Sequence, residues 1–344
     1  MEGLNPSAMY TYDETLYDKG WTSTISRYCS QNPSDHPRCR DVPSYYPYTP
    51  DWRANAVFTA VYAGLLLCFA AIWVLNRSGH AFNLSLLLGT ACELAGYACR
   101  WASSHNPWRR ATFLVQLCSL IMGPTFYAAD IYLCLRRVIV VFGAEHSRIP
   151  PRWYPRIFVP CDLVSLVLQA VGGGLAAVAS HKGHLHVAAD RVMVAGLGFQ
   201  VLAMLCFVLV AGDFALRVWR GERRAARQGS AAMLAPVVQG REAAALQRLR
   251  GDAKFRWFLA ALAVATHCIF LRCVYRIAEL GGGWESPLAA REDLFVVFEG
   301  AAVTVAALGL FYEHPAFCGE KFPGVERDDP RKAGGYPSIE TIRV

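Results

Sequence analysis

Residues 56–75 read AVFTAVYAGLLLCFAAIWVL, twenty positions without one acidic or basic side chain. An α-helix rises about 1.5 Å per residue, so roughly 20 apolar residues cover the hydrocarbon core of a bilayer. This stretch therefore predicts a membrane-crossing helix. Residues 192–212, VMVAGLGFQVLAMLCFVLVAG, predict another. Working outward from these two, the same test gives seven spans: 54–75, 81–101, 111–135, 157–180, 191–215, 257–279 and 292–312. Composition agrees. Of 344 residues, 54% are hydrophobic and 18% charged, less charge than a soluble domain of this size carries. Mean hydropathy is +0.25. The expected architecture is all-α, a polytopic bundle of seven transmembrane helices over residues 54–312. A polar segment, 1–53, precedes it, and a polar tail, 313–344, expected to be disordered, follows it.

Basic residues in short loops set orientation. One side of the chain holds Arg77, five arginines in loop 136–156, and ten Lys or Arg between Arg217 and Arg256. The other side holds Arg109, Arg110, Lys182, Arg191 and Arg291, so the bias is sixteen to five. This places the N-terminus outside and the C-terminus in the cytoplasm. The basic loop 216–256 is the long cytoplasmic connection, and RVWRGERRAARQ at its start is expected to prolong the fifth helix. The loop's basic face could meet anionic lipid headgroups, but fixing topology is its simpler role. The first residues lack the apolar core of a cleavable signal peptide, so none is expected. Cys29 and Cys39 would then face an oxidising compartment with nine residues between them, and a disulfide is expected.

Ionisable groups in lipid are costly, so those within spans face the bundle interior and pair. Glu93, Gly96, Tyr97 and Arg100 stand at i, i+3, i+4 and i+7, on one helical face. Arg272, Tyr275, Arg276 and Glu279 repeat the spacing on the sixth span. Glu93 and Arg100 lie about 10 Å apart along the axis, so each needs a partner on another helix. Glu299 supplies a carboxylate on the seventh span, and a helix-six arginine is its expected partner. Following chain direction, Arg100, Arg272, Arg276, Glu279 and Glu299 fall in the outer half. Asp130, Asp162 and Arg136 fall in the inner half, with Glu93, Gln169, Gln200 and His267 near the middle. Such a set forms either a polar path for a substrate or an ionic core that fixes helix packing. Gly172-Gly173-Gly174 would let a neighbouring backbone approach closely. Pro124 requires its freed carbonyl to find another donor.

Other chemistries lack their residues. No lysine is followed by Ser or Thr, so no phosphate-binding G-x-x-x-x-G-K-[ST] loop exists, and direct ATP use is not expected. There is no G-x-S-x-G elbow, and no predicted span holds a lysine for a retinal Schiff base. His181, His184 and His186 read as a solvated loop rather than a metal site. No enzyme activity, cofactor, metal or nucleic-acid partner is expected.

The motifs, taken in order, resemble a fungal family of seven-helix proteins, the RTA-like or lipid-translocating exporter family, which includes sphingoid long-chain-base exporters. The resemblance runs from Tyr46 to Pro315. It begins at Tyr46-Pro47-Tyr48-Thr49-Pro50, with Asn55 and Phe58. Glu93-x-x-Gly96-Tyr97-x-x-Arg100 is its most recognisable part. Pro124-x-Phe126-x-Ala128-Ala129-x-x-Tyr132 with Arg136-Arg137 follows. Then come Asp162-x-x-Ser165-x-x-x-Gln169-Ala170-x-Gly172-Gly173-Gly174 and Gly196-x-Gly198-x-Gln200. Arg272-x-x-Tyr275-Arg276-x-x-Glu279, Phe298-Glu299 and His314-Pro315 close the series. Asp130, where an uncharged residue is expected, and the long segment before Tyr46 depart from the pattern. The resemblance implies a protein of the plasma membrane, or an endomembrane, that exports or flips amphipathic lipids. Sphingoid bases or toxic sterol-like compounds are the candidates it implies. A seven-helix lipid receptor or sensor, or a regulator of another transporter, is the alternative.

Overall fold

The computed structural model describes residues 27–32, 39, 44–46, 48–76, 80–178, 184–227, 250, 252–281, 287, 288 and 290–312. The expected tail, most of the basic loop, Arg77, Lys182 and His181 lie outside them. Each predicted span corresponds to a helix. These are α1 Trp52–Asn76, α2 His80–His105, α3 Arg110–Phe142, α4 Trp153–Val178, α5 His184–Arg227 and α6 Ala253–Gly281. The last, α7, is composite: Glu292–Phe295, a π-helical stretch Val296–Ala301, then Ala302–Tyr312. All of these except α3 are long and apolar enough to cross a membrane, six candidate spans among the described residues. The protein is a multi-pass membrane protein. Helix α3 outruns its predicted end, so Arg136 and Arg137 are helical rather than in a loop. Helix α5 does continue through RVWRGERRAAR to Arg227.

Successive helices pack side by side, and α3 is the hub, touching α2, α4, α6 and α7. In lipid no hydrophobic force drives helices together, so close packing at small residues does that work. A Cβ on Gly96 would fall on the Leu120 side chain, and one on Gly89 would lie 3.0 Å from the Tyr127 ring. Those two glycines let α2 sink into α3. Helices α4 and α5 meet in the same way. A Cβ on Gly172 would lie 2.5 Å from the Met193 backbone nitrogen, and one on Gly196 would lie 3.0 Å from the Ser165 carbonyl oxygen. Only the first glycine of the triplet serves this contact, because nothing lies within 4 Å of a Cβ at Gly173 or Gly174.

A strap ahead of α1 closes one end of the bundle. Tyr45 stacks on Phe113 of α3, and Tyr46 meets the same ring edge-on. The Tyr46 hydroxyl donates to Gln116. Cys29 and Cys39 are bridged and fully buried, and Asn106, beyond α2, donates to the Ser30 carbonyl at 2.8 Å. At the opposite end Arg250 donates twice to the Val141 carbonyl, at 2.6 and 3.0 Å, capping the last turn of α3. The disulfide gives a direct check. A membrane-impermeant maleimide should leave Cys29 and Cys39 unmodified until the protein is reduced, and rapid labelling without reductant would show two thiols instead.

Candidate functional site

The face spacing read from the sequence is the face that is buried. Glu93, Gly96, Tyr97 and Arg100 line the inner side of α2, and Arg272, Tyr275, Arg276 and Glu279 line that of α6. Asp130, Asp162, Gln169, Gln200 and Glu299 are buried as well. His267, expected among the polar interior groups, instead faces out of the bundle, its Nδ1 within 2.7 Å of the Ala263 carbonyl one turn back. Arg136 is also exposed.

The buried residues fall into three groups along the bundle. At the strap end, Arg100 donates to the Tyr48 hydroxyl at 2.7 Å and to Glu292 at 3.3 Å. Its guanidinium lies 4.0 Å from the Phe295 ring centroid and 5.5 Å from that of Tyr48, within the range where a cation is attracted to the ring face. Glu292 also accepts the Asp51 backbone N–H at 2.9 Å, so the strap, α2 and α7 meet at one carboxylate. Burial pushes the Tyr48 hydroxyl above its ordinary pKa, against the pull of Arg100. The phenol is therefore a neutral acceptor.

The central group is built on Arg272. Its Nε and Nη2 hold Glu299 in a two-pronged contact of 2.9 to 3.2 Å, with both side chains fully buried. This is the pair expected between a helix-six arginine and Glu299. The same Nη2 donates to the Leu120 carbonyl at 2.6 Å. That carbonyl is the one Pro124 leaves without its usual i+4 partner, because proline has no N–H. Arg272 thus supplies the donor that Pro124 demands. One turn on, Arg276 pairs with Glu279 at 2.6 Å, and its Nε lies 4.0 Å from Glu299. Tyr275 stacks on Phe298. Glu299 sits in the π-helical stretch of α7, and single-turn π segments recur at functional positions in helices.

Glu93 differs from Glu279, Glu292 and Glu299, each of which meets an arginine. It is fully buried, and neither oxygen has a hydrogen-bond partner among the described residues. Among the described residues it lacks the ionic partner on another helix that the sequence called for. Gly123 of α3 provides the space, since a Cβ there would overlap the carboxyl. Tyr97 stacks with Tyr62 of α1 at 5.5 Å between centroids, and its hydroxyl is also without a partner.

Further from the strap, amide and hydroxyl hydrogen bonds join α3, α4 and α5. Gln169 of α4 donates to Gln200 of α5 at 3.1 Å, and Gln200 donates to Thr125 of α3 at 3.1 Å. Asp162 accepts the Tyr132 hydroxyl at 2.8 Å. Tyr132, Phe158 and Phe207 surround this bond, with centroids 4.5 to 5.5 Å apart.

Sequence reasoning named Tyr48 only as part of an entry motif, and missed Glu292, Tyr62, Gly123 and Thr125. Glu292 stands between Arg291 and Asp293 at the first position of the seventh span, where nothing in its spacing marks a partner. Tyr62 and Gly123 carry no charge, and nothing in their spacing marks them. The Arg272–Glu299 pair yields a stability test. Arg272→Ala strands a buried carboxylate, which costs about 3–5 kcal/mol. Its melting temperature in detergent should fall sharply. Arg272→Met with Glu299→Gln removes both charges at similar volume, and should recover most of that loss. If the double variant melts no higher than the single one, the pairing energy is not what Arg272 contributes.

A family model described as "RTA1 like protein" matches residues 86–321. The chain is 33% identical over 285 residues to "Sphingoid long-chain base transporter RSB1" of Saccharomyces cerevisiae (strain Lalvin EC1118 / Prise de mousse), covering 79% of this chain and 74% of that protein. It is 27% identical over 234 residues to "Protein RTM1" of Saccharomyces cerevisiae, covering 67% of each. "Protein RTA1" of Saccharomyces cerevisiae (strain ATCC 204508 / S288c) is 24% identical over 290 residues, 76% of this chain and 82% of that one. No solved structure matches. With two thirds of its length under the family model, and the buried Glu93, Arg100, Arg272 and Glu299 inside it, the chain belongs to the RTA1-like family.

Proposed function

We propose that the protein moves amphipathic lipids across or out of the membrane, with sphingoid long-chain bases as the leading substrates. All seven helices span the bilayer in this reading. The N-terminal strap lies outside and the tail in the cytoplasm, in agreement with the sixteen-to-five bias of basic residues. The plasma membrane is the expected location. The observation that carries the proposal is Glu93, a buried carboxyl with no cation of its own. A sphingoid base joins a cationic amine to a long chain. The amine could meet Glu93 while the chain stays in the bilayer beside α1. The similarity to a sphingoid-base transporter supports the same substrate class. The other residues of the buried set, Tyr97, Arg100, Asp130, Asp162, Gln169, Gln200, Arg272, Tyr275, Arg276, Glu279 and Glu299, form the ionic core and polar path around it.

Purified protein in liposomes tests this directly. A labelled sphingoid base should equilibrate across protein-containing vesicles several-fold faster than across empty ones. Binding without faster crossing would identify a receptor instead. Orientation has its own test. Asn76-Arg77-Ser78 is a glycosylation sequon in a loop placed in the cytoplasm, while the sequons at Asn5 and Asn32 are blocked by proline. Asn76 should carry no glycan. A glycosidase-sensitive mass shift that vanishes in Asn76→Gln would reverse the topology.

A further inference from the structure

The buried charges do not balance. Three arginines lie within the bundle, and each has a carboxylate of its own: Arg100 with Glu292, Arg272 with Glu299, Arg276 with Glu279. Glu93 is left over. The groups that face it come from every side. Its own helix supplies Cys92 and Tyr97, α1 supplies Tyr62, α3 supplies Tyr127, and α6 and α7 supply Arg272 and Glu299. None of them donates to it. The Tyr127 hydroxyl is bonded to Thr90 and that of Tyr62 to Thr304, while that of Tyr97 has no partner. Arg272 uses Nε and Nη2 on Glu299 and Leu120, and its Nη1 has no acceptor. A carboxylate buried without a donor is far costlier than the neutral acid, unless a cation comes to it.

We propose that Glu93 couples lipid movement to proton exchange: it holds a proton while the site is empty and releases it when a cationic amine arrives. This rests on the transport reading above. In the step, the carboxyl O–H bond breaks and the proton leaves to water. The ammonium takes its place beside the carboxylate. Site charge is the same before and after, so the fixed pair of Arg272 and Glu299 never faces an extra charge. When the amine departs on the far side, the carboxylate takes up a proton there. One cation therefore crosses for each proton that returns, and an outside-acid gradient drives the amine outward. Gly123, with no side chain, leaves the carboxyl room against α3.

The test uses the full chain in phosphatidylcholine vesicles that enclose a pH-sensitive dye. Two probes are added outside: a natural sphingoid base and its N,N,N-trimethyl analogue. The analogue cannot lose a proton, so it cannot carry one passively. Expected is protein-dependent uptake of the analogue with the lumen turning alkaline, one proton lost per lipid gained, and faster uptake when the lumen starts acidic. Glu93→Gln, if it elutes as folded protein, should abolish the proton movement. Analogue uptake without any pH change would overturn the exchange and leave the transport reading standing. Uptake of the natural base alone would also overturn it, since the amine would then pass in its neutral form. If neither probe crosses, the transport reading fails and the exchange fails with it.

Discussion

Arg272 ties three helices together with one guanidinium. It reaches from α6 to Glu299 on α7 and to the Leu120 carbonyl on α3. Each contact depends on a feature in another helix. The carbonyl is open because Pro124 cannot donate to it. The carboxylate belongs to a π-helical stretch, whose wider turn changes which side chains follow on each face of α7. Against the hydrophobic alternative such a pair adds little net stability, since desolvating two charges offsets most of their attraction. Breaking it is another matter, because one charge is then stranded. The pair therefore constrains how α3, α6 and α7 fit more than how tightly they hold.

The remaining contacts supply the closeness that such a pair needs. A guanidinium reaches its carboxylate only if the backbones stand near one another. The glycines of α2 and of α4 and α5 provide that by letting one helix sink into the next. On α2 the same spacing serves both ends. Gly96 admits Leu120, the residue whose carbonyl Arg272 holds, while Glu93 one turn earlier lies against Gly123. The packing notch and the unpartnered carboxyl are thus neighbours on one face, and a change in the α2–α3 distance is felt at Glu93 first.

Much of this was legible in the sequence, and the reason is the solvent. A bilayer makes every charge expensive, so a Glu or Arg inside an apolar run must face inward, and helical periodicity names its companions. That is why the faces of Glu93 to Arg100 and of Arg272 to Glu279 are the buried ones. The demand created by Pro124 was legible too, although not its answer. Partners were harder. Sequence spacing says which side chains share a face, but not which of several acids an arginine meets across a gap. Arg276 pairs within its own helix, with Glu279 at i+3, and Arg100 takes Glu292 at the very start of α7. His267 misled because it is tolerable outside: its ring bonds a carbonyl of its own helix and needs no neighbour. The π stretch leaves no readable mark, since no residue pattern in VVFEGA separates a π turn from an α turn.

The polar contacts are also graded in strength along the bundle. Near the strap they are ion pairs, reinforced by rings stacked against Arg100 and by a disulfide beyond. Farther along, the buried interhelical bonds are amide and hydroxyl ones: Gln169 to Gln200, Gln200 to Thr125, Tyr132 to Asp162, with the ion pairs of Asp213 lying at the surface. An interhelical hydrogen bond in a membrane is worth about 0.6 kcal/mol on average, because the separated helices find other partners. Stranding a buried charge costs about 3–5 kcal/mol. Helix movements of equal size are therefore much cheaper away from the strap than beside it. Rearrangements that open the bundle should begin at the end away from the strap, among α4, α5 and the far half of α3, with the strap end of α2, α3, α6 and α7 held by the arginine contacts. Glu93 lies between the two regimes: among the described residues it is bound by neither kind of contact, while the arginine pairs around it are complete without it.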